Sequence, residues 1–258
     1  MLAAQRLDKM RKIFLEKEVV ELSYLAEQLN VSEITIRRDF EKLEKEGFIK
    51  KQYGGASLNK SIVSTRDVFD YDAEESREEM NLIGKIAEKI IEDGDSIYLG
   101  GGLGSRFIAR NIDETKNVFL LTNDIFVASE LWNNFRTKVA VTGGEMLVGA
   151  GMLFGKRAID TLQNVHINKA FIDVNGVSLE KGFSVKSFEA SDFFSTVMEL
   201  ADESIALINH NRFDKFSYTK LCEINAFERV VTNKEVDDKY KKVLFDLGTK
   251  LYTTFDVK

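Results

Sequence analysis

Residues 31–56 read VSEITIRRDFEKLEKEGFIKKQYGGA, and the spacing of their apolar residues changes partway along. Ser32 is a good N-cap and Glu33 suits the positive end of a helix, so a helix begins here and runs to about Glu46, stopping at Gly47. At about 100° per residue, Phe40 and Leu43 fall within about 40° of Ile36 and make one buried seam. Ile34, Arg38 and Lys45 point the other way, with Thr35 and Arg37 on the flanks. Beyond the glycine, FIKKQYGGASL alternates apolar and basic residues and turns at Gly54 and Gly55, the pattern of a hairpin that lays Lys50 and Lys51 along a polyanion.

Upstream, Leu22, Leu25, Ala26 and Leu29 mark a second amphipathic helix, and Asn30 with Val31 gives it a tight connection to the third. Leu7, Met10 and Phe14, with Ile13 beside them, mark a first helix from Ala4 to Lys17. Three short helices with a tight second turn, the last showing hydroxyl and guanidinium groups in its first two turns, have the helix-turn-helix layout. An arginine there reads guanine or clamps phosphate, and Thr35 or Ile34 can touch a thymine methyl. The plainer alternative is that Arg37 and Arg38 belong to a solvated charged face. Glu41, Glu44 and Glu46 would repel phosphate, which confines contact to the first half of the helix and the wing.

Charge is divided along the chain in the same sense. Of 258 residues, the first 60 carry a net charge of +2, and the remaining 198 carry −8. A weakly basic head precedes an acidic body, which suggests two jobs. The opening MLAAQRLDKM is charged where a secretion signal is apolar, no run approaches a membrane span, and Cys222 is the single cysteine, so a cytoplasmic protein with no membrane contact is expected.

Residues 59–76 are polar and include the acidic run DYDAEES. A helix is expected from about Glu75 to Ile91, after which strands and helices alternate: SIYL, SRFIARNI, VFLLT, IFVASELWNNF, KVAVT, KAFIDVNGV and SIALIN. Interleaving of this kind indicates an α/β fold with a mainly parallel sheet. Ligands in such sheets bind beyond the carboxyl ends of the strands. Four of those ends are small or polar: GGGLGS, TN, TGG and NHNRF.

The glycine run at 100–104 has no complete dinucleotide fingerprint in either register and no lysine of a phosphate loop, so nucleotide hydrolysis is not expected. Its glycines either permit a sharp turn or bring backbone N–H groups to an anion. His166 and His210, the two histidines, have no partner at metal-ligand spacing, and no catalytic residue, metal or cofactor is expected. Trp132 is expected in the core or at an interface.

VVELSYLAEQL followed by VSEITIRRDFEKLEKEGFIKKQYGGA closely resembles the winged helix-turn-helix of the DeoR family of bacterial transcriptional regulators. The resemblance implies that Ser32, Thr35, Arg37 and Arg38 face DNA. Across residues 64–250 the order of features resembles the family's sensor domain, whose fold is similar to ribose 5-phosphate isomerase and whose members commonly sense phosphorylated sugars. It implies an effector site at Gly101, Gly102, Gly104, Ser105, Thr122, Asn123, Gly143, Gly144, Asn209 and Arg212. This chain departs from the pattern at several places. Gly100 stands where the family has aspartate, Leu103 and Gly104 replace hydroxyl residues, Asn209 and Arg212 replace Asp and Lys, and Met80 and Ser195 replace lysines.

The expected organisation is a winged helix-turn-helix over 1–58, with the helix-turn-helix itself at about 20–39, a linker over 59–74, and an effector-sensing α/β domain over 75–258. The expected partners are a double-stranded DNA operator, a small-molecule effector of the sugar-phosphate kind, and further copies of the chain. Two alternatives stay open: a sugar-phosphate isomerase-like enzyme with an appended DNA-binding domain, and a ligand-independent DNA-binding oligomer.

Overall fold

The structure is a computed structural model that describes residues 3–17, 19–45, 48–58, 74–147, 149–233 and 236–253. It divides into two compact units, Met1–Phe69 and Asp70–Lys258. All of the expected linker but residue 74 lies outside the described residues.

The first unit runs α1 (Ala3–Lys17), β1 (Val19–Glu21), α2 (Leu22–Leu29), α3 (Glu33–Lys45), β2 (Ile49–Gln52) and β3 (Gly55–Leu58). Asn30 ends α2 in the left-handed region, at φ 49° and ψ 54°, and its N–H returns to the carbonyls of Ala26 and Glu27. Asparagine tolerates that conformation, which is what makes the turn tight. The seam on α3 is buried as its spacing requires: Ile36, Phe40 and Leu43 join Met10, Phe14, Leu25 and Leu29 in one core. The short VVE segment becomes an unanticipated third strand beside the hairpin, giving the order β1-β3-β2. Gly55 permits that pairing, because a Cβ there would lie 2.4 Å from the Val20 carbonyl oxygen.

One charge sits inside this small core. The Asp39 side chain, 2 % exposed, accepts from Arg6 Nε at 2.5 Å and Nη2 at 3.3 Å, tying α3 to α1. Breaking a buried pair strands its partner, so Asp39→Asn is expected to cost the unit about 2 to 3 kcal/mol. Amide hydrogen exchange in α1 and α3 reads that loss directly; unchanged protection would show that the pair adds nothing.

The second unit opens with α4 (Glu74–Glu88), shorter at its end than expected. Its centre is a seven-stranded sheet of β4 (Ser96–Leu99), β5 (Val118–Thr122), β6 (Thr137–Val141), β9 (Ile167–Asp173), β12 (Ala201–Leu207), β14 (Arg229–Val231) and β15 (Lys250–Tyr252). The order is β15-β14-β12-β9-β4-β5-β6, with every pairing parallel. Between strands lie α5 (Leu103–Asn111), α6 (Ile125–Glu130), α7 (Lys156–Leu162), α8 (Phe188–Leu200) and α9 (Asp238–Asp246). A hairpin of β7 (Glu145–Leu147) and β8 (Met152–Phe154) and a small antiparallel sheet of β10 (Gly176–Ser178), β11 (Gly182–Val185) and β13 (Thr219–Cys222) complete it.

The chain builds outward from β4 through β5 to β6, then crosses back to place β9 on the opposite side of β4. Strand order therefore reverses between β4 and β9, and the ends of those two strands mark the place where sheets of this kind receive ligands. The apolar run IFVASELWNNF makes a shorter helix than expected, ending at Glu130, and Trp132 lies in the following turn at 83 % exposure, which removes the core from the two places expected for it and leaves an interface.

Candidate functional site

In the first unit, α3 turns Ile34, Arg37 and Arg38 away from the core, all exposed, with Ile34 at 66 %. Ser32 starts the helix: its carbonyl accepts from the N–H of Thr35 at 2.9 Å and of Ile36 at 3.2 Å. Its hydroxyl lies 3.0 Å from that of half-buried Thr35, so these two groups hold the first turn together beneath the exposed residues. On the wing, Lys50 is exposed. Lys51 is engaged: its Nζ lies 2.8 Å from Glu44 Oε2, and its backbone N–H donates to Glu44 Oε1 at 3.2 Å. The bonds from Lys51 hold the Glu44 carboxyl below its usual range. Glu44, read from sequence as a repulsive charge, is thus a tether between α3 and the wing. Tyr53, at the wing's tip beside Gly54, is fully exposed and was not picked out by spacing.

In the second unit the parallel sheet gathers the ends of β12, β9, β4, β5 and β6 on one edge. Gly101, Gly102, Gly104 and Ser105 form the loop from β4 into α5 and are buried. The N–H groups at the head of α5 point at a carboxylate from the neighbouring strand. Asp173, the last residue of β9, accepts from Gly104 N at 2.7 Å, Ser105 N at 2.9 Å and Ser105 Oγ at 2.7 Å. The glycines are shaped around it, for a Cβ at Gly102, where φ is +155°, would lie 2.2 Å from Asp173 Cγ. Above Gly101, Met152 Sδ occupies the place of a Cβ, at 1.9 Å. An acid is therefore present beside the loop after all, supplied from β9 instead of position 100.

The other expected effector residues are bound into the framework. Asn123 accepts from the Tyr98 hydroxyl at 2.7 Å and donates to the Leu153 carbonyl at 3.1 Å. Thr122 Oγ1 accepts from Asp124 N. Asp124 caps α6 and takes Arg106 Nη2 at 2.9 Å, while Arg106 also donates to the Ala150 carbonyl. Gly143 is exposed; Gly144, at φ +123°, abuts the Phe154 carbonyl. Past β12, Asn209 donates to Glu79 Oε2 at 2.6 Å and accepts from Asn211 N and Asn233 Nδ2. His210 Nδ1 lies 2.8 Å from Asn233 Nδ2, and half-buried Arg212 closes the same short 3-10 turn. Thr142 and Thr232, just past β6 and β14, bury hydroxyls with no hydrogen-bond partner among the described residues. The set Asp173, Asp124, Tyr98, Glu79, His210 and Asn233 was not found from sequence, because each reaches the edge through strand order.

Burial pushes the Asp173 carboxyl up to about 6, against the pull of Ser105, Gly104 and Arg106. Burial likewise raises Asp124, with Arg106 opposing. In the unfolded chain an aspartate titrates near about 3.9, so between that value and its folded value Asp173 binds its proton more tightly when folded. Its protonation stabilises the fold fully below that unfolded value and ceases to do so as pH rises through the folded one. Melting of wild type and Asp173→Asn across about pH 4 to 7 tests this. The stability advantage of wild type over the variant is expected to shrink as pH rises; a constant difference would show that Asp173 does not titrate there.

Among the described residues no helix is long and apolar enough to cross a membrane, and no His, Cys, Asp and Glu cluster fits a metal ion. The family model of the DeoR-like helix-turn-helix domain matches residues 6–62, and that of the DeoR C terminal sensor domain matches residues 75–234. The chain is 29 % identical over 238 residues to the HTH-type transcriptional regulator IolR of Bacillus subtilis, covering 91 % of this chain and 93 % of that protein. It is 27 % identical over 245 residues to the lactose phosphotransferase system repressor of Streptococcus mutans, covering 93 % and 95 %. Among solved structures, full-length sorbitol operon regulator SorC from Klebsiella pneumoniae aligns over 95 % of this chain and 99 % of its own at 9 % identity and a TM-score of 0.42. Ribose 5-phosphate isomerase A of Methanocaldococcus jannaschii aligns over 55 % of each chain at 16 % identity and a TM-score of 0.40. The two matched domains, in this order and covering most of its length, make the chain a member of the DeoR family of transcriptional regulators.

Proposed function

We propose that this chain is a cytoplasmic repressor of carbohydrate-related genes, held on a double-stranded operator by α3 and the wing and released by a small sugar-derived metabolite. The observation that carries the DNA reading is the exposed row Ile34, Arg37 and Arg38 on a helix whose opposite face is wholly buried. Ser32 and Thr35 set that row's start, Lys50 adds a phosphate contact from the wing, and Lys51 beside it is held in reserve by Glu44. The name of the lactose phosphotransferase system repressor supports the carbohydrate class. The effector would sit at the carboxyl edge of the sheet, near Gly101, Gly102, Gly104, Ser105, Gly143, Gly144, Asn209 and Arg212, with Thr122 and Asn123 as framework. A phosphorylated sugar is the class the family resemblance points to. Activity is regulatory and not enzymatic on this reading, since the edge carboxylates are each held by donors of the chain itself.

Assembly into a homo-oligomer is part of the proposal. Few cations face outward from one winged helix, and pairing on repeated half-sites raises affinity without new contacts. Edge strand β6 exposes Val139 and Val141 on one face, and β5 beside it exposes Phe119 on the other, so this margin of the sheet offers an unpaired edge with apolar side chains for burial against another copy. The filled loop at α5 favours one second reading, a DNA-binding oligomer that needs no ligand.

Gel shifts separate these claims. Arg38→Ala is expected to weaken binding to the cognate operator by about 1 to 3 kcal/mol, and Lys50→Ala to weaken all sequences alike and flatten the salt slope by about 1. Glu44→Gln frees Lys51, so it is expected to tighten non-specific binding and steepen that slope. Operator affinity indifferent to Arg38 would remove α3 as the reading element. For the sensor, a thermal-shift screen of sugar phosphates and plain sugars, followed by operator release with any stabilising compound, decides between the effector reading and the ligand-free one.

A further inference from the structure

The head of α5 is where a parallel α/β sheet ordinarily receives a ligand's phosphate, because N–H groups converge there at the positive end of a helix. Here those donors are already spent. Gly104 N, Ser105 N and Ser105 Oγ all donate to Asp173. The N-cap of α5 is Gly102, which has no side chain to cap with, so the capping carboxylate comes from 69 positions away on β9. The loop's composition follows from that arrangement. A Cβ at Gly102 or Gly104 would collide with the Asp173 carboxyl group, at 2.2 Å from Cγ and 2.8 Å from Oδ1. Nearby, the Arg106 side chain, positioned to meet an incoming anion, is forked onto Asp124 and the Ala150 carbonyl.

We propose that Asp173 is a specificity-determining residue that stands in for the ligand's phosphate, so that the head of α5 is closed to an external oxyanion and the effector is recognised without one there. The proposal rests on the reading of the second unit as a metabolite sensor and narrows it. A carboxylate and a phosphate cannot share three donors, and their like charges repel in a buried site. An effector that carries a phosphate has it held by another part of the edge; one that carries none loses nothing.

The test is anion binding by the full-length chain, with inorganic sulfate and inorganic phosphate titrated at constant ionic strength and neutral pH. Melting temperature is followed for wild type, Asp173→Ala and Asp173→Ser. Wild type is expected to show no saturable response to either anion. Asp173→Ala, with the donors bared, is expected to melt lower and to regain the loss saturably, with half-saturation at least about ten-fold below any seen in wild type. If the alanine variant does not fold, the serine variant, whose short side chain also leaves those donors bare, should show the same gain over wild type. Equal half-saturation in wild type and variant would overturn the proposal, and so would a variant that ignores both anions. Because the readout is anion binding and not operator release, such a failure falls on Asp173 and leaves the regulator reading in place. Loss of operator response in every Arg38 variant tested would bear on that reading alone.

Discussion

The carboxylate of Asp173 on the first turn of α5 is the contact around which the second unit is arranged. It joins the two strands between which strand order reverses, β9 by its own backbone and β4 through the loop it caps. A helix head buried without acceptors for its N–H groups costs free energy at each one. The glycine loop has no side chain to provide those acceptors, so the fold takes them from the adjacent strand. Once that choice is made, the glycines become necessary, the acid is half-buried against them, and its ionisation is displaced upward. Composition of the loop, position of the acid and its titration are consequences of one contact.

A second layer of satisfied groups surrounds that contact. Tyr98, buried at the end of β4, donates to Asn123 at the end of β5, and Asn123 donates in turn to the backbone of β8. Asp124 caps α6 and binds Arg106 from α5. Buried polar networks of this kind rigidify when every member is satisfied. The Tyr98, Asn123, Asp124 and Arg106 groups are accordingly a fixed wall, while among the described residues hydroxyls without a partner remain at both flanks, Thr142 beyond β6 and Thr232 beyond β14.

Much of this architecture was legible in the sequence, and the reasons for the gaps are physical. Periodicity gave Ile36, Phe40 and Leu43 as one seam, and the strand ends GGGLGS, TN, TGG and NHNRF as neighbours, because both depend on local spacing and on parallel pairing. Asp173 escaped because it ends an apolar strand whose spacing says nothing about what its last side chain meets 69 positions away. The helix of IFVASELWNNF was read too long because its apolar residues keep helical spacing past Glu130, where the helix stops. Strands β14 and β15, three residues each, carry too little pattern to be read. Asp39 reads as one more charge on a charged helix, and only the approach of Arg6 from α1 explains its burial.

The same limit applies to charge in the DNA-binding unit. A count of lysines and arginines treats Lys51 and Arg38 as equal contributors, yet Lys51 is bonded to Glu44 while Arg38 is exposed, and Arg6 is turned inward to Asp39. Affinity for a polyanion follows the number of phosphates neutralised, not the number of basic residues. The unit's net charge of +2 over its first 60 residues already marks it as a weak electrostatic binder, and internal pairing takes Arg6 and Lys51 out of phosphate contact, each together with one carboxylate. On the proposed reading, discrimination between sequences then rests on the few side chains at the head of α3, and occupancy on pairing of units. That dependence is what makes such a regulator releasable. When affinity comes from two modest contacts held in register, a small shift in their spacing removes most of it, and an effector needs only the coupling free energy of about 1 to 3 kcal/mol usual between two sites.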